Sequence, residues 1–363
     1  MYMEIGTIFF MLITLIFVIL GFIKKNSIFL FSLQLLWMYV LLAGNLDSID
    51  MGTHELIFES SQNVDNYTLY SYLCYLAGSN GLNFIQLNAI LLIFAIGAIC
   101  YIVYNFSRNY CFVMSLYFLY PFIDCVIQKR FFIASIIGLI GMIFLFKNKK
   151  IIFSLLVIIS GFIHQAAFGF FIYLLIPVLM KTKKKKIILS SLLFIVILLM
   201  PFMVDILSVF FDPEKVEFYF YILHEKIKYP ILNFILWSVF HIGFVYVYYR
   251  FYKSCKIYIK DESFINFISF IWYMNLISLL IIPLYYWEPT FIRIYRNMIL
   301  FNYISISLIL PKGQIYYKKV FYDALICIIY SIIAFFGVYF ILSAGYESIV
   351  EPIFLNNILL EIM

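Results

Sequence analysis

Three arginines in this sequence have the type and the position to bind phosphate. Arg130 opens one long apolar run, and Arg293 and Arg296 stand three residues apart just before another. A spacing of three places both guanidinium groups on one face of a helix. Because a planar guanidinium donates paired, charge-assisted hydrogen bonds to phosphate oxygens, this pattern indicates a pyrophosphate site. The alternative is that Arg130 pairs with Asp124, and Arg296 with Glu288, as ion pairs that only hold helices together.

The composition identifies the environment of these arginines. Of the 363 residues, 65% are hydrophobic and only 12% are charged, and the mean hydropathy is +1.03. Such a chain cannot be a soluble domain, so we expect a polytopic membrane protein. The six cysteines show neither pairing nor metal-ligand spacing, so neither a disulfide framework nor a zinc site is expected.

The element that must position the site is the stretch from Lys147 to Lys186. It holds about thirty apolar residues between two lysine clusters, interrupted at its midpoint by His164-Gln165. A single helix of that length would measure about 45 Å, too long for a hydrocarbon core of roughly 30 Å. Both lysine clusters belong on the cytoplasmic side. The sequence therefore predicts a hairpin of two short helices, each roughly 22 Å long, whose tip at residues 161–169 lifts His164 and Gln165 into an outer, water-filled cavity.

The remaining apolar runs predict an all-α bundle of about twelve transmembrane helices that forms a single domain over residues 1–363. Both termini lie outside in this arrangement. Three larger extracytoplasmic segments, residues 44–83, 205–230 and 284–296, are expected to cover the site.

The distribution of charge supports this orientation. All but seven of the 25 lysines and arginines fall in the predicted inner connections, as the positive-inside rule requires. Nucleic acid is not an expected partner, because the net charge of +6 reflects these connections. The cations on the outer side need another explanation; they are Lys129, Arg130, Lys215, Lys226, Lys228, Arg293 and Arg296.

The order of several short motifs resembles a known family. The motifs are Asp50-Met-Gly-Thr-His54, Asn66-Tyr-Thr-Leu-Tyr, Gln128-Lys-Arg130-Phe-Phe-Ile-Ala134, His164-Gln-Ala-Ala-Phe168 and the late outer arginines. Together they are similar to the EpsG-like membrane proteins, the Wzy-type polymerases of exopolysaccharide, capsule and O-antigen, over roughly residues 45–311. Two departures are His54, where the pattern usually has Tyr, and the absence of the Gln that commonly follows the arginine.

The resemblance implies a membrane glycosyltransferase at the outer face of the bacterial cytoplasmic membrane. Such polymerases transfer a growing glycan from undecaprenyl pyrophosphate to the terminal sugar of an incoming lipid-linked repeat unit. The implied partners are the lipid-linked glycan as donor and acceptor, the bilayer and a chain-length-regulating protein. Neither a nucleotide sugar nor a cofactor is implied, and no metal-ligand cluster is visible in the sequence.

The resemblance also suggests roles for the residues. The arginines would bind the pyrophosphate leaving group, and His164 would be either the base for the sugar hydroxyl or a hydrogen-bond donor to phosphate or sugar. Asp50 and Asp124 are alternative bases, or partners that orient an arginine. Gln165 and Tyr295 are further candidates for substrate contacts.

Other interpretations remain open at this point. A flippase for lipid-linked oligosaccharide would show internal repeats and charges at mid-membrane, whereas a glycan acyltransferase would take its acyl donor from the inner side. An O-antigen ligase differs from a polymerase here only through the resemblance. His164 by itself also fits a helix cap, His54 a surface residue, and His241 a neutral imidazole that bonds a neighbouring helix.

Overall fold

The computed structural model describes residues 2–46, 48, 50–63, 68–210, 216–227, 229–309, 318–342 and 350–362. Within these ranges every regular element is helical, and a single isolated β-bridge pairs Asn45 with Asn357. The prediction of an all-α fold is confirmed. Asn66 and Tyr67 of the second motif, and the outer lysines Lys215 and Lys228, lie outside the described residues.

The helices follow one another with short connections. The α-helices are α1 (Tyr2–Ile23), α2 (Ile28–Gly44), α3 (Met51–Ser60), α4 (Leu69–Ser79), α5 (Phe84–Phe106), α6 (Tyr110–Leu119), α7 (Phe122–Ile127), α8 (Lys129–Phe146), α9 (Lys150–Ile163), α10 (Ile176–Lys181), α11 (Lys185–Leu199), α12 (Met203–Phe210), α13 (Leu223–Lys226), α14 (Pro230–Tyr258), α15 (Glu262–Ser278), α16 (Arg293–Arg296), α17 (Ile299–Ser307), α18 (Lys318–Phe336), α19 (Glu351–Leu355) and α20 (Ile358–Ile362). Tighter 3₁₀ turns occupy Ser61–Asn63, Gln165–Leu175, Met200–Phe202, Leu279–Tyr286 and Pro289–Ile292, and wider π turns occupy Phe218–Ile222 and Gly337–Leu342.

Seven of the described helical stretches are long and apolar enough to cross a membrane. They are Gly6–Ile23, Phe84–Phe106, Lys129–Phe146, Ile187–Ser208, Pro230–Tyr258, Glu262–Tyr286 and Lys318–Phe340. Shorter apolar helices cover Ile28–Gly44, Tyr110–Leu119, Lys150–Ile163 and Gln165–Lys181. The chain is therefore a multi-pass membrane protein. The count of about twelve spans stays a prediction, because the shorter helices do not reach crossing length by themselves.

Polar residues at the ends of the apolar runs begin several of these helices. Ser27 Oγ accepts the backbone N–H of Leu30 at the start of α2, and Asp261 Oδ1 accepts that of Phe264 at the start of α15. Asn83 opens α5 with a reciprocal capping box. Each cap satisfies a backbone donor that would otherwise lack a partner at the helix start. The positions at which the chain turns are thus encoded locally.

The lysine-flanked stretch folds as a helix, a break and a second helical arm. Arg130 Nε donates to Ile163 O, and Ser160 Oγ donates to Ala134 O, so α9 runs antiparallel to α8. The chain breaks at His164, whose backbone is extended, with φ −146° and ψ 115°. The structure therefore contains the predicted hairpin, with its break at His164.

The second arm of the hairpin differs from the prediction. It consists of 11 residues of 3₁₀-helix followed by the six residues of α10. A 3₁₀-helix rises about 2.0 Å per residue, against 1.5 Å for an α-helix. The arm therefore extends about 31 Å instead of the roughly 22 Å that was predicted, because the sequence pattern does not distinguish the two helix types.

The basic connections gather at one end of the bundle. Lys25 O accepts the backbone N–H of Cys111, and Phe267 near the start of α15 packs on Phe106 and Phe146 at ring distances of 6.5 and 5.3 Å. We name this the lysine end, comprising residues 24–26, 107–109, 147–150, 181–185 and 253–262. The opposite end, comprising the described residues 45–46, 48, 50–54, 124–131, 163–166 and 288–297, is named the arginine end.

Candidate active site

Arg130 is fixed by the tip of the hairpin and by the first outer segment. Its Nε donates to Ile163 O at 2.7 Å. Its guanidinium carbon lies 4.7 Å from the centre of the Tyr70 ring, a cation–π contact. Since Tyr70 lies in α4, this helix contacts Arg130, and the covering of the site by the segment 44–83 stays a prediction. A guanidinium held by two elements is pre-organised for a ligand, because less side-chain freedom is lost on binding.

His164 lies next to Arg130 at the break in the hairpin. Its Nδ1 accepts the backbone N–H of Ala166 at 3.3 Å, which caps the 3₁₀ arm. Since Nδ1 acts as an acceptor, the proton of a neutral imidazole lies on Nε2. The alternative interpretation of His164 as a helix cap is confirmed, and its functional role stays a prediction. In this tautomer Nε2 carries an N–H that can donate to a ligand, whereas the unprotonated Nδ1 already accepts the hydrogen bond from Ala166.

Phe131 joins His164 to a second arginine. The Phe131 ring meets the His164 ring edge to face at 5.1 Å, and the guanidinium carbon of Arg293 lies 5.6 Å from its centre. Arg293 is 6% exposed, and Thr290 holds it through two hydrogen bonds of 2.9 Å from Nε and 2.8 Å from Nη2. His164 and Arg293 therefore meet on one aromatic ring, and Arg130 is bonded to Ile163, the residue before His164.

Arg296 forms the ion pair of the arginine end. Its Nη1 lies 2.8 Å from Asp124 Oδ1, and its Nη2 donates to Gln128 Oε1 at 2.7 Å. The alternative pairing of Arg296 with Glu288 is wrong, because Arg296 is paired with Asp124 and Gln128 instead. Glu288 Oε1 accepts the backbone N–H of Thr290 at 3.1 Å. Arg296 Nε is buried and has no hydrogen-bond partner among the described residues.

Asp124 is engaged through both of its carboxylate oxygens. Oδ1 pairs with Arg296, and Oδ2 accepts the hydroxyl of Tyr339 at 2.8 Å. Asp124 pairs with Arg296, so the alternative in which Asp124 pairs with Arg130 is also wrong. A carboxylate with both oxygens occupied is poorly placed to take a proton from a substrate. Asp124 is therefore the partner that orients an arginine.

Asp50 differs from Asp124 in its surroundings. It precedes α3 and makes no capping hydrogen bond to that helix. Burial raises the pKa of Asp50 above its ordinary value of 3.8, although Arg293 and Arg296 oppose this shift. Of the two carboxylates, Asp50 is the one that fits a proton acceptor, because both oxygens of Asp124 are engaged by Arg296 and Tyr339.

His54 belongs to the arginine end and is not a surface residue. It is only 8% exposed. Burial, together with Arg130 and Lys129, lowers the pKa of His54 to about 4. The expectation of an exposed histidine is wrong, because α3 turns this face onto the start of α8. Nothing in a single short outer helix distinguishes that face from the opposite one.

Lys129 is the residue that the sequence did not single out. It is 2% exposed, and its Nζ donates to Asn45 O at 2.6 Å and approaches Met51 Sδ at 3.7 Å. These contacts tie the connection that carries Asp50 to the first turn of α8. A signal existed, since Lys129 is one of the cations outside the inner connections, but only the arginines were weighed as ligands.

Tyr295 and Gln165 are not brought to the arginines by any described contact. Tyr295 is fully buried, its hydroxyl donates to Asn275 Oδ1 at 2.6 Å, and its ring stacks on His241 at 4.2 Å. His241 bonds Tyr285 and Ser278 at 2.7 and 2.8 Å, as expected for an imidazole that links neighbouring helices. Gln165 follows His164 in the 3₁₀ turn and is partly exposed. A role of either residue in substrate binding stays a prediction.

The second and third outer segments pack on each other. Phe220 contacts Trp287 at 4.9 Å and Phe291 at 5.8 Å, and His224 lies 5.1 Å from Tyr286. Their position on the outer side of a membrane stays a prediction.

The described part of the arginine end combines four cations with three carboxylates, those of Asp50, Asp124 and Glu288. Lys129, Arg293 and Arg296 are nearly buried and Arg130 is half-buried. Because a buried excess of positive charge is costly without an anion, this arrangement suits a charged, phosphate-bearing ligand. Among the described residues, no group of three His, Cys, Asp or Glu side chains is arranged to hold a metal ion.

Comparison with known proteins gives one match. The family model described as the EpsG family matches residues 28–351, which include every residue of the arginine end. No curated protein and no solved structure matches the chain.

Proposed function

The chain belongs to the EpsG family, and on that basis we propose that it is a membrane polysaccharide polymerase whose active site is the arginine end. In this proposal the donor is a growing glycan on undecaprenyl pyrophosphate, and the acceptor is the terminal sugar of a lipid-linked repeat unit. The reaction takes place at the outer face of a bacterial cytoplasmic membrane. A chain-length-regulating protein is a candidate partner.

The observation that carries the proposal is that Arg293 and His164 meet on the Phe131 ring while Arg130 is bonded to Ile163, the residue before His164. In the reaction the acceptor hydroxyl oxygen forms a bond to the anomeric carbon of the donor. The bond from that carbon to the pyrophosphate oxygen breaks, and both electrons leave with the lipid pyrophosphate. Charge develops on the leaving oxygen, so donors fixed beforehand at that position lower the barrier.

Each residue then has a defined task. Arg130 and Arg293 donate to the pyrophosphate, and the Nε2–H of His164 adds a neutral donor to phosphate or sugar. Asp50 takes the proton of the acceptor hydroxyl as its oxygen attacks. Arg296 is held by Asp124 and Gln128, and it adds positive charge at the edge of the site. The tautomer of His164 supports the donor role over the role of base.

The test is polymerisation by purified protein supplied with lipid-linked repeat units. Arg130→Ala removes a donor to the leaving group, so we expect turnover to fall by about 10²- to 10³-fold while the protein stays folded. The matched control is Arg108→Ala at the lysine end, where the side chain is exposed and wild-type laddering is expected. Undiminished laddering by a folded Arg130→Ala protein would falsify the assigned role.

The same assay separates the related reactions. A ligase would transfer a finished glycan once to a different acceptor, and a flippase would move the lipid without forming a glycosidic bond. A ladder of products from repeat units alone supports polymerisation over both.

The donor role of His164 has its own test. His164→Gln keeps an N–H donor, whereas His164→Ala removes it. We expect Ala to lower turnover by about 10²-fold and Gln to restore at least part of that loss. If Gln and Ala are equally inactive and both remove an inflection near neutral pH from the rate profile, His164 is the base and the donor role is excluded.

A further inference from the structure

The lysine end contains a cavity that the polymerase proposal does not use. Its volume is about 500 Å³. It lies between the end of the hairpin at Met180, the C-terminal part of α14 at Tyr252 and Lys256, and one side of α15 from Ile265 to Tyr273. Cavities of this volume hold small ligands or headgroups.

Positive charge dominates the wall of this cavity. Lys185, Lys256 and Lys260 line it, together with one acidic residue, Glu262. Lys185 Nζ donates to the Tyr273 hydroxyl and lies 4.7 Å from the centre of that ring, so its ammonium group is fixed at the wall. Three lysines against one carboxylate leave an excess of two positive charges for an anion to neutralise.

The rest of the wall and its surroundings suit an amphipathic ligand. Met180, Ile259 and Ile265 are apolar wall residues, next to the hydroxyl groups of Tyr252 and Tyr273. Near wall residues in the chain, the apolar side chains of Val178 and Ile257 are 47% and 63% exposed on the surface of the bundle. A headgroup in the cavity would therefore have acyl chains next to an apolar surface.

We propose that this cavity binds the phosphate of an anionic phospholipid headgroup. The lysines contact the phosphate, and the chains of the same lipid lie along the apolar surface next to Val178 and Ile257. Basic recesses between membrane helices on the positive side of a protein recognise such headgroups. This inference depends on the membrane character of the chain and not on the polymerase activity.

The test is native mass spectrometry of the full-length protein in detergent with phosphatidylglycerol. Phosphatidylcholine with the same acyl chains and inorganic phosphate alone are the two comparison ligands. The variant is Lys256→Gln combined with Lys260→Gln. Its control is Lys253→Gln combined with Lys24→Gln, which removes the same charge from exposed positions of the lysine end that do not line the cavity.

We expect the wild type and the control to retain phosphatidylglycerol in preference to phosphatidylcholine. The cavity variant should bind phosphatidylglycerol roughly 10- to 30-fold more weakly, at about fivefold per lysine. Lipid-free melting temperatures serve as a check on folding, and the two single variants replace the double variant if it unfolds.

Three results would overturn the proposal. One is equal retention of phosphatidylglycerol by the cavity variant and the control. Another is equal retention of phosphatidylcholine and phosphatidylglycerol by the wild type. The third is displacement of phosphatidylglycerol by millimolar inorganic phosphate, which would make a soluble phosphate compound the ligand.

Discussion

The arginine end and the lysine end both carry cations, but the two sets are built differently. At the lysine end Lys24, Lys147 and Lys150 are exposed to solvent. At the arginine end Lys129 and Arg293 are 2% and 6% exposed, and named acceptors hold both. Exposed lysines are what the positive-inside rule requires of connecting loops. Buried cations with fixed acceptors are costly and call for a function, so burial and partners mark the site better than the number of charges does.

The largest expected effect concerns Asp50. Asp50→Asn removes the proposed base, so we expect turnover to fall by about 10²- to 10⁴-fold. Glu59→Gln is the control, because Glu59 is an exposed carboxylate of the adjacent helix α3. Full activity of Asp50→Asn would show that another group is the base.

The pH dependence of the wild type sharpens this prediction. A base must be ionised to accept a proton, and burial raises the pKa of Asp50 above 3.8. Turnover should therefore decline as the pH falls through a value above 3.8. His54, whose pKa lies at about 4, stays neutral at neutral pH and contributes no inflection there.

Two ion pairs among the described residues allow a direct comparison. Arg296 and Asp124 at the arginine end are 5% and 13% exposed, whereas Arg250, just before the lysine end, is 39% exposed beside Asp323, which is 3% exposed. Asp124→Asn leaves the buried guanidinium of Arg296 without its anion, which should destabilise the fold by about 3–5 kcal/mol. Asp323→Asn should destabilise it by about 1–2 kcal/mol, because water reaches the guanidinium of Arg250 that loses its partner. Melting temperatures in detergent measure both, and equal losses would contradict the difference between the two pairs.

The smallest expected effect concerns Lys129. Lys129→Met keeps the volume of the side chain but removes the hydrogen bond to Asn45 O, so the connection that carries Asp50 loosens. We expect turnover to fall by about 10-fold. The melting temperature should not drop, because removing a buried charge offsets the loss of its hydrogen bond. Lys147→Met, just beyond the other end of the same helix α8, is the control and should change neither quantity. If Lys129→Met turns over as fast as the wild type, Lys129 has only a packing role.

The sequence predicted the parts of the site that depend on position along the chain. The lysine clusters determine that the hairpin turns at His164, and their location makes Arg130 and Arg293 unusual. Both inferences need only the spacing of residues and the length of a helix. Of the residues that spacing selects, His164 and Arg293 contact the Phe131 ring, whereas Arg296 and Tyr295 have other partners.

The parts that depend on rotation about a helix or on tertiary pairing were not predictable. Tyr295 directly precedes Arg296, yet it is rotated by about 100° from it and enters a buried network with Asn275. The choice of Asp124 over Glu288 as the partner of Arg296 depends on how α7 meets α16. The burial of His54 and the role of Lys129 depend on the packing of an outer segment onto α8. None of these contacts leaves a pattern in a single sequence.

The most direct measurement is a density map of the full-length protein bound to a lipid-linked repeat unit whose pyrophosphate cannot be transferred. We expect phosphate density at the arginine end, with oxygens about 3 Å from the guanidinium groups of Arg130 and Arg293 and from Nε2 of His164. Asp50 should face the sugar on the acceptor side. Pyrophosphate density at the lysine end, or anywhere remote from Phe131, would contradict the assignment of the arginine end as the active site.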